Sequence, residues 1–176
     1  MSISVPTERA VTSTAEFYQA LEQQARALLE GEMDLTANAA NLSALVYHSL
    51  ADVNWAGFYF LKGDQLVLGP FQGQPACVRI EVGKGVCGLA ALRRETVIVP
   101  DVHEFPDHIA CDSASNSEMV VPVIKEGGLI GVLDLDSPKF SRFDDEDAAG
   151  LDRIVAVLVE MSEIRAELFE ESTRSR

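Results

Sequence analysis

Glu118-Met119-Val120-Val121-Pro122-Val123-Ile124-Lys125, the turn Glu126-Gly127-Gly128, and Leu129-Ile130-Gly131-Val132-Leu133-Asp134-Leu135-Asp136 form the stretch that decides the fold. Two runs rich in β-branched residues joined by a glycine-bearing turn read as an antiparallel hairpin. Successive side chains leave opposite faces of a strand, so Asp134 and Asp136 share one face while Leu133 and Leu135 share the other. Two carboxylates in an otherwise apolar strand are costly unless they meet solvent or a polar pocket. Glu118, at the head of the neighbouring strand, is the third acid of this group.

Working upstream, Trp55-Ala56-Gly57-Phe58-Tyr59-Phe60-Leu61 also has a period of two. Trp55 and Tyr59 then point to one face, with Gly57 clearing space between them, and Phe58 and Phe60 to the other. Lys62-Gly63-Asp64 turns the chain and Gln65 to Leu68 pairs back. A third strand is expected over Cys77 to Val82, a short helix over Leu89 to Arg94, and a strand over Thr96 to Val99. Residues 100–117 have no hydrophobic period and are rich in Pro, Asp and Ser, the pattern of a long functional loop.

Helices flank this sheet. Ser13-Thr14-Ala15-Glu16 has the form of a capping box ahead of the stripe Phe17, Leu21, Ala25 and Leu28, and Gly31 ends that helix. Asp34 caps a second helix carrying Leu35, Ala39, Leu42, Val46 and Leu50. Asp144 caps the last, whose acidic first turn suits its dipole. There Leu151, Ile154, Val155 and Leu158 suit the sheet. Val157, Met161, Ile164 and Leu168 form a second seam, suited equally to a homodimer or to the first helices. The sum is one α+β domain over 1–176, core about 15–165: a mainly antiparallel six-stranded sheet between N- and C-terminal helices.

The chain has 14 basic and 28 acidic residues, a net charge of −14. Such a field repels a phosphate backbone and an anionic membrane surface, so nucleic acid and membrane are not expected partners. No apolar run is long enough to span a bilayer and MSISVPTERA lacks the pattern of a secretory signal, so a cytoplasmic location is expected.

Cys77, Cys87 and Cys111 fall within 35 residues. An odd count in a reducing compartment argues against a structural disulfide framework. The 9 and 23 intervening residues fit no zinc spacing, although His103 and His108 lie nearby. Cys111 lies in polar loop sequence, where a thiol can be exposed and activated.

Trp55 and Tyr59 with Glu118, Asp134 and Asp136 describe a pocket with aromatic walls and a carboxylate floor, or else a set of solvated acids. The pocket suits a small molecule with an apolar end and a cationic or proton-accepting group. Gly83-Lys84-Gly85-Val86-Cys87-Gly88 satisfies GxGxxG, but no repeated βαβ pattern supports a dinucleotide site. Its glycines suit a tight helix start whose free N–H groups could hold a carboxylate.

Six stretches then carry a family resemblance: Asn54 to Tyr59, Gly69 to Gly73, Pro75 to Ile80, Gly83 to Gly88, His108 to Ser113 and Gly131 to Ser137. Together they resemble the free methionine-(R)-sulfoxide reductases, stand-alone GAF-domain enzymes, across about residues 15–165. The resemblance implies a GAF-like fold and reduction of methionine-(R)-sulfoxide as the free amino acid. It implies Cys111 as the attacking thiol, Cys77 as main resolving cysteine and Cys87 as an alternative or auxiliary resolver. Trp55 and Tyr59 would receive the methyl end, with Glu118, Asp134 and Asp136 as the acidic cluster. No metal or bound cofactor is implied, and a thioredoxin-like dithiol would restore the enzyme. The competing class is a GAF module that senses a small ligand without turnover.

Overall fold

The computed structural model describes residues 13–106 and 114–164. Its elements follow the order α1 (Thr14–Leu29), α2 (Leu35–Ser49), β1 (Trp55–Lys62), β2 (Gln65–Gln72), β3 (Arg79–Glu81), α3 (Gly85–Arg93), β4 (Val97–Val99), β5 (Ser117–Lys125), β6 (Gly128–Ser137) and α4 (Asp145–Met161). The six strands form one sheet in the order β3-β2-β1-β6-β5-β4. Every pairing is antiparallel.

Strand parity sorts the sheet into two faces, each with its own apolar core. Phe58, Met119, Val121, Leu133 and Leu135 pack into the larger core with α1, α2 and α4. Trp55, Tyr59, Val120 and Val132 point the other way, where Val86, Cys87, Ala90 and Ala91 of α3 cover them. Burial of a large aliphatic or aromatic side chain contributes roughly 1.5–3 kcal/mol. Both faces are therefore committed, and a one-residue register slip would exchange them.

Ser13, Asp34 and Asp144 are the N-cap residues of α1, α2 and α4. Ser13 Oγ accepts from the Glu16 amide at 3.3 Å, and Asp34 Oδ1 from the Ala37 amide at 2.8 Å. Asp144 and Asp147 form a reciprocal capping box on α4. Asp147 is buried, and it accepts from the Tyr18 hydroxyl at 2.7 Å and from Arg142 Nη1 at 3.1 Å. Gly150 makes the crossing of α1 and α4 this close, because a Cβ there would lie 2.1 Å from the Tyr18 ring. Val157 is buried in the shared core, so that part of the second seam on α4 packs within the chain. Leu168 lies outside the described residues.

Several boundaries differ from expectation. In α1 the buried stripe is Phe17, Tyr18, Leu21, Ala25 and Leu29, with Leu28 only partly buried. The third strand shrinks to Arg79–Glu81, which leaves Cys77 in the preceding loop, because β3 is an edge strand pairing with only three residues of β2. The helix expected from Leu89 begins at Gly85, so Cys87 is helical. Glycine weakens a helix interior but suits a helix start with positive φ, and Gly85 has φ of 61°. The 100–117 loop contains a 3-10 turn at Val102–Glu104 and its last residue opens β5.

Candidate active site

A cavity opens between α3 and the sheet face bearing Trp55 and Tyr59. Its lining includes Trp55, Tyr59, Cys87, Glu118, Asp134 and Asp136. Residues some 80 positions apart meet because β1, β6 and β5 are neighbours. Trp55 faces Asp136 and Gly57 faces Asp134 across the β1–β6 ladder, while Glu118 faces Asp136 across β5–β6.

The aromatic wall is a closely packed stack. Trp55 stacks on Tyr59 with centroids 5.9 Å apart and on Phe71 at 5.3 Å. Its indole N–H donates to the Gln74 carbonyl at 3.0 Å. Gly57 makes the stack fit: a Cβ there would come within 2.7 Å of Trp55 Cη2 and 2.3 Å of Phe71 Cβ. Phe71 and the Gln74 carbonyl escaped the sequence reading. Their signal was the glycine pair Gly57 and Gly73, which leaves room around one large ring.

Two of the three acids are buried, Glu118 and Asp134 each 6% exposed, and Asp136 is half-buried. Asp134 Oδ1 has no hydrogen-bond partner among the described residues. Burial pushes the Glu118 carboxyl well up, with repulsion from Asp136 adding to it. Asp134 is pushed up by burial and then by Glu118, with which it shares a side-chain hydrogen bond. Charging both would leave two like charges in a dry site, so the pair retains a proton above the ordinary carboxylate range. Burial and the nearby acids also raise the Tyr59 hydroxyl, keeping it neutral.

The three cysteines stand in three situations. Cys87 is a buried free thiol, with Sγ 3.9 Å from Glu118 Oε1. Burial and the surrounding carboxylates push its pKa well up. Cys77 is disulfide-bonded and half-buried, between the cavity-lining Ala76 and the exposed Val78. Cys111 lies outside the described residues, as does His108. His103 is exposed, its Nε2 3.0 Å from Asn116 Oδ1.

Donor atoms of Cys87, Glu118 and Asp134 lie within 4.8 Å of one another, a spacing that a cation could also use. Metal ligation requires deprotonated ligands, whereas burial drives these groups to hold protons. The N-terminus of α3 also faces the cavity through Lys84, Gly85 and Val86, and no side chain among the described residues caps it. Such an end has free amides and a positive dipole for an anionic group. The arrangement can seat an apolar group on the indole, hold a carboxylate at α3 and deliver a proton between them.

Known proteins share this architecture. A family model described as the GAF domain matches residues 22–162. A free methionine-R-sulfoxide reductase of Escherichia coli strain K12 is 56% identical over 143 residues, covering 81% of this chain and 87% of that protein. A putative GAF sensor protein from Burkholderia vietnamiensis superposes with a TM-score of 0.83 at 62% identity, over 86% of this chain and 96% of that one. The free methionine-R-sulfoxide reductase of Neisseria meningitidis, solved in complex with its substrate, also superposes with a TM-score of 0.83. It is 40% identical, covering 90% of this chain and 95% of that one.

Proposed function

This chain belongs to the free methionine-R-sulfoxide reductases, a GAF-domain family, and we propose that its reaction runs through Cys111, Cys77 and the buried carboxyl cluster. It is an oxidoreductase that reduces free methionine-R-sulfoxide to methionine. The observation that carries the proposed mechanism is the buried Glu118–Asp134 carboxyl pair beside an aromatic wall in one cavity.

In this mechanism the S-methyl end lies against Trp55 and Tyr59. The α-carboxylate takes the amides at the start of α3, and Asp136 faces the ammonium group. The Cys111 thiolate attacks the sulfoxide sulfur while the Glu118–Asp134 pair donates a proton to the sulfoxide oxygen. The oxygen ends on Cys111 as a sulfenic acid, and methionine leaves with its sulfur reduced by two electrons. The Cys77 thiol then attacks the Cys111 sulfur, forming the disulfide and releasing water. A thioredoxin-like dithiol reduces that disulfide by exchange, and no bound cofactor enters the cycle.

Two features support the thiol assignments. Cys77 is disulfide-bonded while Cys87 is free. Ser115, four residues after Cys111, lines the cavity. A purely ligand-sensing module would leave this thiol and acid chemistry without a task. The test is Cys111→Ser: methionine formation should vanish, and formation at the wild-type rate would overturn the mechanism. The proposed setting is the cytoplasm, where a dithiol reductant is at hand.

A further inference from the structure

Cys87 is the reactive group that the cycle above leaves without work. It is the third residue of α3 and is 3% exposed. The backbone around it is tied down: the Gly88 amide donates to the Lys84 carbonyl at 3.0 Å and the Gly83 amide to the Gly88 carbonyl at 2.8 Å. A Cβ on Gly88 would lie 2.5 Å from the Glu81 carbonyl oxygen, so the first turn of α3 has no slack towards β3. The backbone that carries Cys87 is thus held by hydrogen bonds at Gly83 and Gly88 and by close packing on Glu81.

What Cys87 does touch is the acid pair. Its Sγ lies 3.9 Å from Glu118 Oε1, and donor atoms of Cys87, Glu118 and Asp134 form one cluster. We propose that Cys87 is a positioning residue for the proton-transfer step and not a resolving thiol. Its S–H donates to the Glu118–Asp134 pair and fixes the carboxyl that faces the sulfoxide oxygen. The inference rests on the acid role proposed above.

The charged and titratable groups around this donor are Glu118 from β5, Asp134 and Asp136 from β6, Tyr59 from β1 and Lys84 at the start of α3. Burial and mutual repulsion raise the acids, whereas donation from Cys87 lowers both Glu118 and Asp134. The thiol therefore opposes the rise that would make the pair too weak an acid. Its own raised pKa keeps the hydrogen in place for that bond.

The test is a single turnover of the reduced full-length chain with free methionine-R-sulfoxide and no added reductant, followed from pH 6 to 9. Cys87→Ala should slow methionine formation about 10-fold, less than the roughly 100-fold or more lost with the acid itself, because the thiol only positions that acid. Substrate affinity should hold, and the alkaline limb of the profile should move to higher pH. Cys87→Ser, which keeps a donor of similar size, should restore both rate and limb. Both variants should give one Cys77–Cys111 disulfide per chain. Wild-type rate and limb in Cys87→Ala, no rescue by Cys87→Ser, or either variant stalled at sulfenic acid would overturn the inference. Methionine formed by Cys111→Ser in the same assay would instead overturn the underlying mechanism, whatever the Cys87 variants do.

Discussion

Glu118 on β5 and Asp136 on β6 are direct cross-strand partners, two acids set opposite each other on the face that lines the cavity. Like charges in that position destabilise a sheet. Burial of Glu118 adds to the cost, and the chain meets both by keeping a proton in the cluster. The same arrangement that opposes the sheet pairing keeps a carboxyl protonated above the ordinary carboxylate range.

Glu118→Gln should therefore separate stability from activity. The amide keeps the shape and removes the charge, so Tm should rise by a few degrees, in line with about 1 kcal/mol. Single-turnover methionine formation should fall about 100-fold, as expected for loss of a general acid. Thermal melts and rapid-quench kinetics on one preparation check both. A variant with unchanged rate would remove Glu118 from the acid pair.

The raised carboxyls also give stability a pH dependence of known sign. Between the ordinary carboxylate pKa and the raised folded value, the folded chain holds more protons than the unfolded one. This contribution is complete below the unfolded pKa and is lost as pH rises through the window. Each retained proton gives a slope of about −1.4 kcal/mol per pH unit. Urea midpoints measured from pH 5 upward should fall more steeply for wild type than for Glu118→Gln. Parallel curves would show that Glu118 titrates normally.

Gly57→Ala tests the aromatic wall. The added methyl would collide with Trp55 Cη2 and Phe71 Cβ, so the stacked wall must rearrange to admit it. Overpacking of this kind costs about 1–3 kcal/mol. The expected kinetic result is a KM raised several-fold with kcat less affected, because the wall holds the substrate and moves no proton. Steady-state kinetics with free methionine-R-sulfoxide and dithiothreitol check this.

The cysteines should differ in reactivity. Cys87 is buried with a raised pKa, so it should resist alkylation in the native protein and react only after unfolding. After oxidation by one equivalent of substrate, peptide mapping should find Cys77 joined to Cys111. A bridge from Cys87 to Cys111 as the only product would reverse the two roles.

Most of the fold was legible because parity and caps are local signals. The hairpin 118–136 placed Leu133 and Leu135 in one core and Asp134 on the opposite face, where the structure has them. What local pattern could not supply was the neighbour across the ladder. The pairing of Trp55 with Asp136 and of Glu118 with Asp136 depends on β6 inserting between β1 and β5. The start of α3 was misplaced because three glycines read as a loop, although their turn continues directly into a helix. Burial of Cys87 followed from that same helix, and with it the contact to Glu118.

The central claim is that this chain reduces the free amino acid with one handedness at sulfur. The most direct measurement is turnover of the separated R and S epimers of free methionine sulfoxide by the reduced protein, with dithiothreitol present and methionine quantified. The R epimer should be converted to completion while the S epimer is scarcely consumed. Equal consumption of both epimers, or methionine from neither, would contradict the account.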